Sequence, residues 1–150
     1  MSYRQLFFHI IFRPKNSEAV IVQEHEKTLY RYIWGYTKEK GAILFRIGGM
    51  PDHIHMFVEL PATICVSDFV RDLKVSTHKF MQSEKEKFPK FKGWAKSYCA
   101  LTYSINEKDK IVNYIKGQKE HHKKFSFSDE YLALLLDNGI KVDMNYFLRE

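Results

Sequence analysis

The chain has 150 residues, enough for one domain spanning 1–150 with a hydrophobic core that needs no staples. Apolar residues make up 45% and charged residues 28%, and seven glycines with four prolines exclude a collagen-like or low-complexity chain. No apolar run approaches the ~20 residues that cross a bilayer, which excludes a membrane partner, and the stretch from Met1 to Phe12 lacks the small-residue cleavage site of a signal peptide. Cys65 and Cys99 could make at most one bridge and sit inside regular segments, as expected of a reduced, cytoplasmic protein.

In chain order, Tyr3 to Arg13 is rich in Phe and Ile and ends before Pro14, predicting a first strand. Val22, Glu26, Leu29, Ile33 and Thr37 recur at three- and four-residue spacings, predicting a helix over 20–40 with Gly41 as its stop. Ala42 to Ile47 reads as a second strand, closed by a turn over Gly48-Gly49-Met50-Pro51-Asp52, and His53 to Leu60 as a third. Ser67 suits an N-cap, with Asp68 in the first turn, for a helix carrying Phe69, Val70, Leu73, Thr77, Phe80 and Met81 to about Lys87. Trp94 to Ile105 reads as a fourth strand. Asn106 then caps a helix running to about His122, and Ser128 a short helix ending near Gly139, with a tail over 143–150.

The order β-α-β-β-α-β predicts an α+β, ferredoxin-like fold: a four-stranded antiparallel sheet with both early helices on one face. The later tyrosine-bearing helix and the short last helix are additions to it.

Charge is uneven. Residues 74–124 carry a balance of +8 and the remainder −2. Lys85, Lys87, Lys90, Lys92 and Lys96 crowd together, with Phe88, Phe91, Trp94 and Tyr98 between them. Such lysines neutralise phosphates and such rings stack on unpaired bases, which makes Lys92, Lys96 and Tyr98 candidates for nucleic-acid contact. Equally, the rings could turn into the core and leave a solvated lysine-rich loop.

The third strand alternates cleanly. Ile54, Met56, Val58 and Leu60 share the face expected to meet the helices, while His53, His55, Phe57 and Glu59 share the other. Two imidazoles two residues apart on one face can reach the same ion. In the later helix Tyr114 and Gln118 stand at i and i+4, hence on one face, with His121 beside them and Ile111, Val112 and Ile115 as a separate apolar stripe. His53, His55 and the amide oxygen of Gln118 would bind Mg²⁺ or Mn²⁺ without cancelling its charge, keeping it Lewis-acidic toward a phosphate oxygen. Tyr114, assisted by a nearby positive field, would then be the nucleophile of a reversible strand break.

Pro51-Asp52-His53-Ile54-His55, then Trp94 and Tyr98, then Tyr114-Ile115-Lys116-Gly117-Gln118-Lys119-Glu120-His121-His122 resemble the single-tyrosine HUH transposases. These serve the smallest bacterial insertion sequences and relatives associated with palindromic repeats. The resemblance implies a metal-dependent, dimeric enzyme that cuts and rejoins single-stranded DNA at hairpin-forming element ends. In it, His53, His55 and Gln118 hold the ion and Tyr114 forms a 5′-phosphotyrosine. It also places Lys74, Ser76 and Thr77 among DNA-contacting positions. Many relatives carry Gly-Tyr where this chain has Ser97-Tyr98.

Two other readings stand beside it. One is a non-catalytic or domesticated single-stranded DNA or RNA hairpin-binding module on the same fold, although no Lys/Arg-Gly-Phe-Gly-Phe-type strand motif is present. The other is a replication initiator or relaxase, against which Gln118, four residues after Tyr114, argues.

Overall fold

A computed structural model of the chain describes residues 2–149. Met1 and Glu150, the outer ends of the N-terminal and tail stretches read above, lie outside the described residues. The strands are β1 (Phe7–Phe12), β2 (Ile43–Met50), β3 (His53–Glu59) and β4 (Cys99–Thr102), and the helices are α1 (Glu26–Glu39), α2 (Val66–Ser83), α3 (Lys108–Lys116), α4 (Gln118–His121) and α5 (Phe127–Asp137). The sheet is antiparallel throughout, in the order β2-β3-β1-β4, as the ferredoxin-like expectation requires.

The alternation of β3 divides the molecule. Ile54, Met56, Val58 and Leu60 enter one core with Leu29, Ile33 and Tyr36 of α1 and Phe69, Val70, Leu73 and Met81 of α2. The opposite face is covered by the later helices in two separate patches. Ile111 and Ile115 of α3 pack on Phe7 and Phe57. Phe127 and Leu135 of α5 pack on Ile11, Cys99 and Leu101. The histidines lie in the seam between these patches.

Several boundaries differ from the sequence reading, each for a local reason. The first helix begins at Glu26 rather than Val20, because Val20 and Ile21 are buried in the core on non-helical backbone and the Ile21 N–H donates to the Pro51 carbonyl (3.0 Å). Gly41 does stop it, at φ +74°, where the left-handed region favours glycine. β1 starts only at Phe7. β2 continues through Gly48 and Gly49 to Met50, leaving the turn to Pro51-Asp52, since both glycines pair with β3.

Ser67 is not the N-cap of α2. Cys65 is, because its carbonyl already accepts the Phe69 N–H (3.0 Å). That helix ends at Ser83, whose hydroxyl bonds back to the Phe80 carbonyl (2.6 Å). The fourth strand is shorter than 94–105: Trp94 pairs alone with Pro14, and the carbonyls of Ala95, Lys96 and Ser97 accept from the Lys74 ammonium instead of from a neighbouring strand. Asn106 lies in a 3-10 turn before α3, and Gly117 (ψ 10°) separates α3 from α4. Ser126, not Ser128, caps α5 by accepting the Asp129 N–H (3.2 Å).

Gly48 of β2 lets α3 approach, and Gly49 lets β2 close on β3. A Cβ on Gly48 would lie 3.0 Å from the Ile115 carbonyl oxygen and 3.2 Å from its Cγ2. On Gly49 it would lie 2.2 Å from the His53 carbonyl oxygen. Replacing Gly48→Val therefore pushes α3 off the sheet, with an expected stability loss of ~1–3 kcal/mol, the usual cost of overpacking. Urea unfolding of the variant checks this; an unchanged midpoint would show that α3 does not bear on β2 as described.

Candidate active site

Where β3 turns its polar face toward α3, α4 and α5, five side chains meet with almost no access to solvent: His9, His53 and His55 are fully buried, Gln118 is 1% exposed and Glu130 6%. Each is set by its backbone. β3 delivers His53 and His55, β1 delivers His9 next to them, α4 delivers Gln118, and α5 delivers Glu130. Lys119 fixes α4 in place by donating to Glu26 of α1 (2.8 Å) and to the Gly49 carbonyl.

The hydrogen-bonding roles decide what this cluster can hold. Asp52 accepts from His53 Nδ1 (2.7 Å), so in a neutral ring Nε2 carries a lone pair. The Phe125 carbonyl likewise accepts from His122 Nδ1 (2.7 Å), leaving a lone pair on its Nε2. Both lone pairs face acceptors: Gln118 Oε1 lies 2.9 Å from His53 Nε2 and 3.0 Å from His122 Nε2. Glu130 Oε1 lies 3.1 Å from His122 Nε2, 3.3 Å from His55 Nε2 and 3.5 Å from His53 Nε2. The Gln118 amide nitrogen is turned away, donating to Glu130 Oε2 (2.8 Å). Acceptors gathered on acceptors in a dry pocket call for protons or a cation. The His53, His55 and Glu130 ligand atoms lie within 4.8 Å of one another, so the residues fit a divalent ion with nitrogen and oxygen ligands.

Titration follows the burial. His55 is pushed down to about 4, chiefly by desolvation, against the opposing hydrogen bond and charge of Glu130. His9, whose Nε2 shares a hydrogen bond with His55 Nδ1 (2.8 Å), is also held well below the ordinary histidine value by burial and by His55. Burial pushes the Glu130 carboxyl up, but the hydrogen bond and charge of His55, with bonds from Tyr114 and Gln118, outweigh it and keep Glu130 ionised.

The Tyr114 hydroxyl donates to Glu130 Oε2, and its ring centroid lies 5.6 Å from that of His55. Its phenol is raised above the ordinary tyrosine value, by burial first and then by the Glu130 carboxylate. Among the described residues the charged group bonded to this hydroxyl is thus a carboxylate, not the positive field expected. The nearest charge is negative.

Tyr114, His53, His55 and Gln118 thus converge within one chain. The DNA candidates do not join them. Lys74, Lys96 and Tyr98 line a cavity between α2 and the 94–98 segment together with Arg71, His78 and Trp94. Lys74 holds three carbonyls there (2.8, 2.9 and 3.3 Å), Ser76 Oγ is bonded to the Tyr32 hydroxyl (2.5 Å), and Lys92 and Lys96 are exposed. Phe88 is buried, and Phe91, Trp94 and Tyr98 pack against the α1–α2 core, so the rings of the lysine-rich stretch turn inward and its lysines outward. Thr77 accepts from the Trp94 indole N–H (2.9 Å).

Comparison with known proteins shows the family. The family described as "Transposase IS200 like" matches residues 2–118. The chain belongs to the IS200-like transposase family. It is 30% identical over 120 residues to the ISDra2 transposase TnpA of Deinococcus radiodurans, covering 77% of this chain and 86% of that protein. It is 28% identical over 120 residues to the transposase for insertion sequence element IS200 of Salmonella typhimurium, covering 77% and 78%. Among solved structures, a transposase candidate from Deinococcus radiodurans R1 superposes with a TM-score of 0.62 at 29% identity, over 78% of this chain and 93% of that one. A REP-associated tyrosine transposase bound to a REP hairpin shares the fold, with a TM-score of 0.59 at 16% identity over 81% and 74%. As an IS200-like transposase the chain is an enzyme of DNA transposition. The family match ends at Gln118, so His121, His122 and Glu130 lie beyond it.

The neutral, buried His55 has a consequence for the metal-free transposase. An unfolded histidine takes up its proton near pH ~6.5, whereas folded His55 stays neutral to about 4. Acidification through that window protonates only the unfolded state, so stability falls by on the order of 2–3 kcal/mol and this contribution levels off below it. Urea midpoints measured with a chelator between pH 7 and 4 check this. His55→Gln should flatten the slope.

Proposed function

We propose that this transposase cleaves and rejoins single-stranded DNA through a 5′-phosphotyrosine on Tyr114, with a divalent ion, Mg²⁺ or Mn²⁺, held by His53, His55 and Gln118. One observation carries the reading: a helix-borne phenol and a strand-borne histidine pair share one buried cluster, with an amide oxygen 2.9 Å from His53 Nε2. An ion bound there would supply positive charge to the scissile phosphate and to the phenol, whose hydroxyl donates to the Glu130 carboxylate.

The chain's own residues do the rest. Asp52 orients His53, and His9 orients His55. Tyr114 Oη gives up its proton and attacks phosphorus, forming one P–O bond as the bond to the 3′ oxygen of the preceding nucleotide breaks; that oxygen leaves with the electron pair and takes up a proton, so the proton count is unchanged. One phosphodiester is exchanged for another, so the step reverses when a 3′-OH attacks the phosphotyrosine. That reversibility suits strand rejoining.

Hairpin-forming DNA as the target is supported by the fold shared with a protein solved on a REP hairpin. Exposed Lys92 and Lys96, and the cavity that Lys74 and Tyr98 line, are proposed to contact the DNA backbone, and Ser76 to act through Tyr32 on that same side. The chain is proposed to act as a single catalytic domain in a homodimer, in the bacterial cytoplasm. No described helix is long and apolar enough to cross a membrane.

With single-stranded element ends and Mn²⁺, wild type should form a covalent protein–DNA adduct. Tyr114→Phe should lose it by at least ~10⁴-fold while binding the same DNA with unchanged Kd. Adducts retained by the Phe variant overturn the nucleophile assignment. The Kd should also weaken steeply with salt, each phosphate neutralised contributing a log–log slope of about −0.7 on single strands; salt-independent binding would refute the role given to the lysines.

A further inference from the structure

Glu130 stands where none of the three proposed ligands requires a carboxylate. It is contributed by α5, twelve residues after Gln118 and beyond the stretch that the family match covers. It is 6% exposed, yet no lysine or arginine is hydrogen-bonded or ion-paired to it among the interactions described for these residues; its neighbours are imidazoles, an amide and a phenol. A carboxylate buried among imidazole nitrogens, with its oxygens within ligand distance of theirs, is a ready donor to a cation, which would offset the cost of burying it.

Its two oxygens face different groups. Oε1 lies among the imidazole nitrogens, 3.1 Å from His122 Nε2, 3.3 Å from His55 Nε2 and 3.5 Å from His53 Nε2. Oε2 takes the Tyr114 hydroxyl and the Gln118 amide N–H (2.8 Å), with His121 Nε2 at 3.4 Å. The orientation of Gln118 is part of the same device. By donating its nitrogen to Oε2, the amide turns Oε1 toward His53, the position from which it can ligate.

We infer that Glu130 is a fourth, anionic protein ligand of the ion held by His53, His55 and Gln118, binding through Oε1 while Oε2 fixes the Tyr114 hydroxyl beside it. The inference rests on the metal-dependent reading above and extends it. Three neutral ligands leave a divalent ion its whole charge but bind it weakly. One carboxylate tightens the site and selects for hard, oxygen-preferring ions such as Mg²⁺ and Mn²⁺. The last helix thereby becomes part of the metal centre, and the ion and the nucleophile are tied to the same side chain.

The test uses the full chain and Mn²⁺ alone, with no DNA. Titration calorimetry and the Mn²⁺-induced rise in melting temperature are measured for wild type, Glu130→Gln, Glu130→Asp and His53→Ala. Glu130→Gln keeps the size and hydrogen-bonding capacity of the side chain and removes its charge. It should raise the Kd by more than ~10-fold, the lower end of what loss of an outer-shell partner costs, and should lose most of the melting shift. Glu130→Asp should recover part of both.

A Glu130→Gln protein that binds Mn²⁺ within tenfold of wild type, or more tightly as an internal competitor of the ion would, overturns the inference and leaves the three-ligand reading intact. Failure of that parent reading looks different: wild type takes up no Mn²⁺, or His53→Ala takes it up undiminished, and the inference falls with it. Should Glu130→Gln fail to fold, the comparison of wild type with Glu130→Asp decides, because a ligand withdrawn by one methylene must lose affinity and a bystander must not.

Discussion

The two-residue period of a β-strand is the constraint on which this molecule depends. A seven-residue strand has only two faces, and β3 spends one on Ile54, Met56 and Val58 and the other on His53, His55 and Phe57. The apolar set fixes β3 against α1 and α2, so the histidines cannot be anywhere except on the opposite face. Burying them there demands a roof. Both α3 and α5 provide it, each anchored by its own apolar patch, and the polar seam between the patches becomes the site.

Within that seam the chemistry is one of shortage. Lone pairs from two imidazoles, an amide and a carboxylate point at each other, and the protons that would reconcile them are already committed to hydrogen bonds that Asp52 and the Phe125 carbonyl accept. The same shortage acts on Tyr114. Buried next to a carboxylate, its phenol is harder to ionise than in water, so in the proposed reaction its activation would call for positive charge from outside the protein. Under that proposal one bound cation would meet both demands.

Much of the architecture could be read beforehand because it rests on periodicity. The β-α-β-β-α-β order, the two faces of β3, the stripe of Ile111 and Ile115 and the stops at Gly41 and Gly139 all leave a regular mark in the sequence. What escaped has no period. Glu130 stands in the first turn of α5, where an acidic residue ordinarily complements the helix dipole, and nothing in its spacing relates it to His53. His9 left a fainter signal: one imidazole in a run of Phe and Ile, on the same face as Phe7 and Ile11, is the kind of polar residue that is buried only with a partner. The lysine-rich stretch misled in another way. Its rings alternate with charges as a stacking surface would, but Gly93 at φ +138° and the Lys74 ammonium fold the segment inward, so the rings serve the core.

The bare backbone of Gly48 and Gly49 also governs how the β2–β3 hairpin can assemble. A shift of β2 by one residue in one direction would set Ile47 under Ile115, a branched side chain where even a methyl group crowds a carbonyl oxygen at 3.0 Å. That slipped form is disfavoured by steric exclusion against α3, which adds to the apolar packing of β3 in keeping the alignment that presents His53 and His55 to Gln118. Two residues without side chains act as the indexing mark of the sheet.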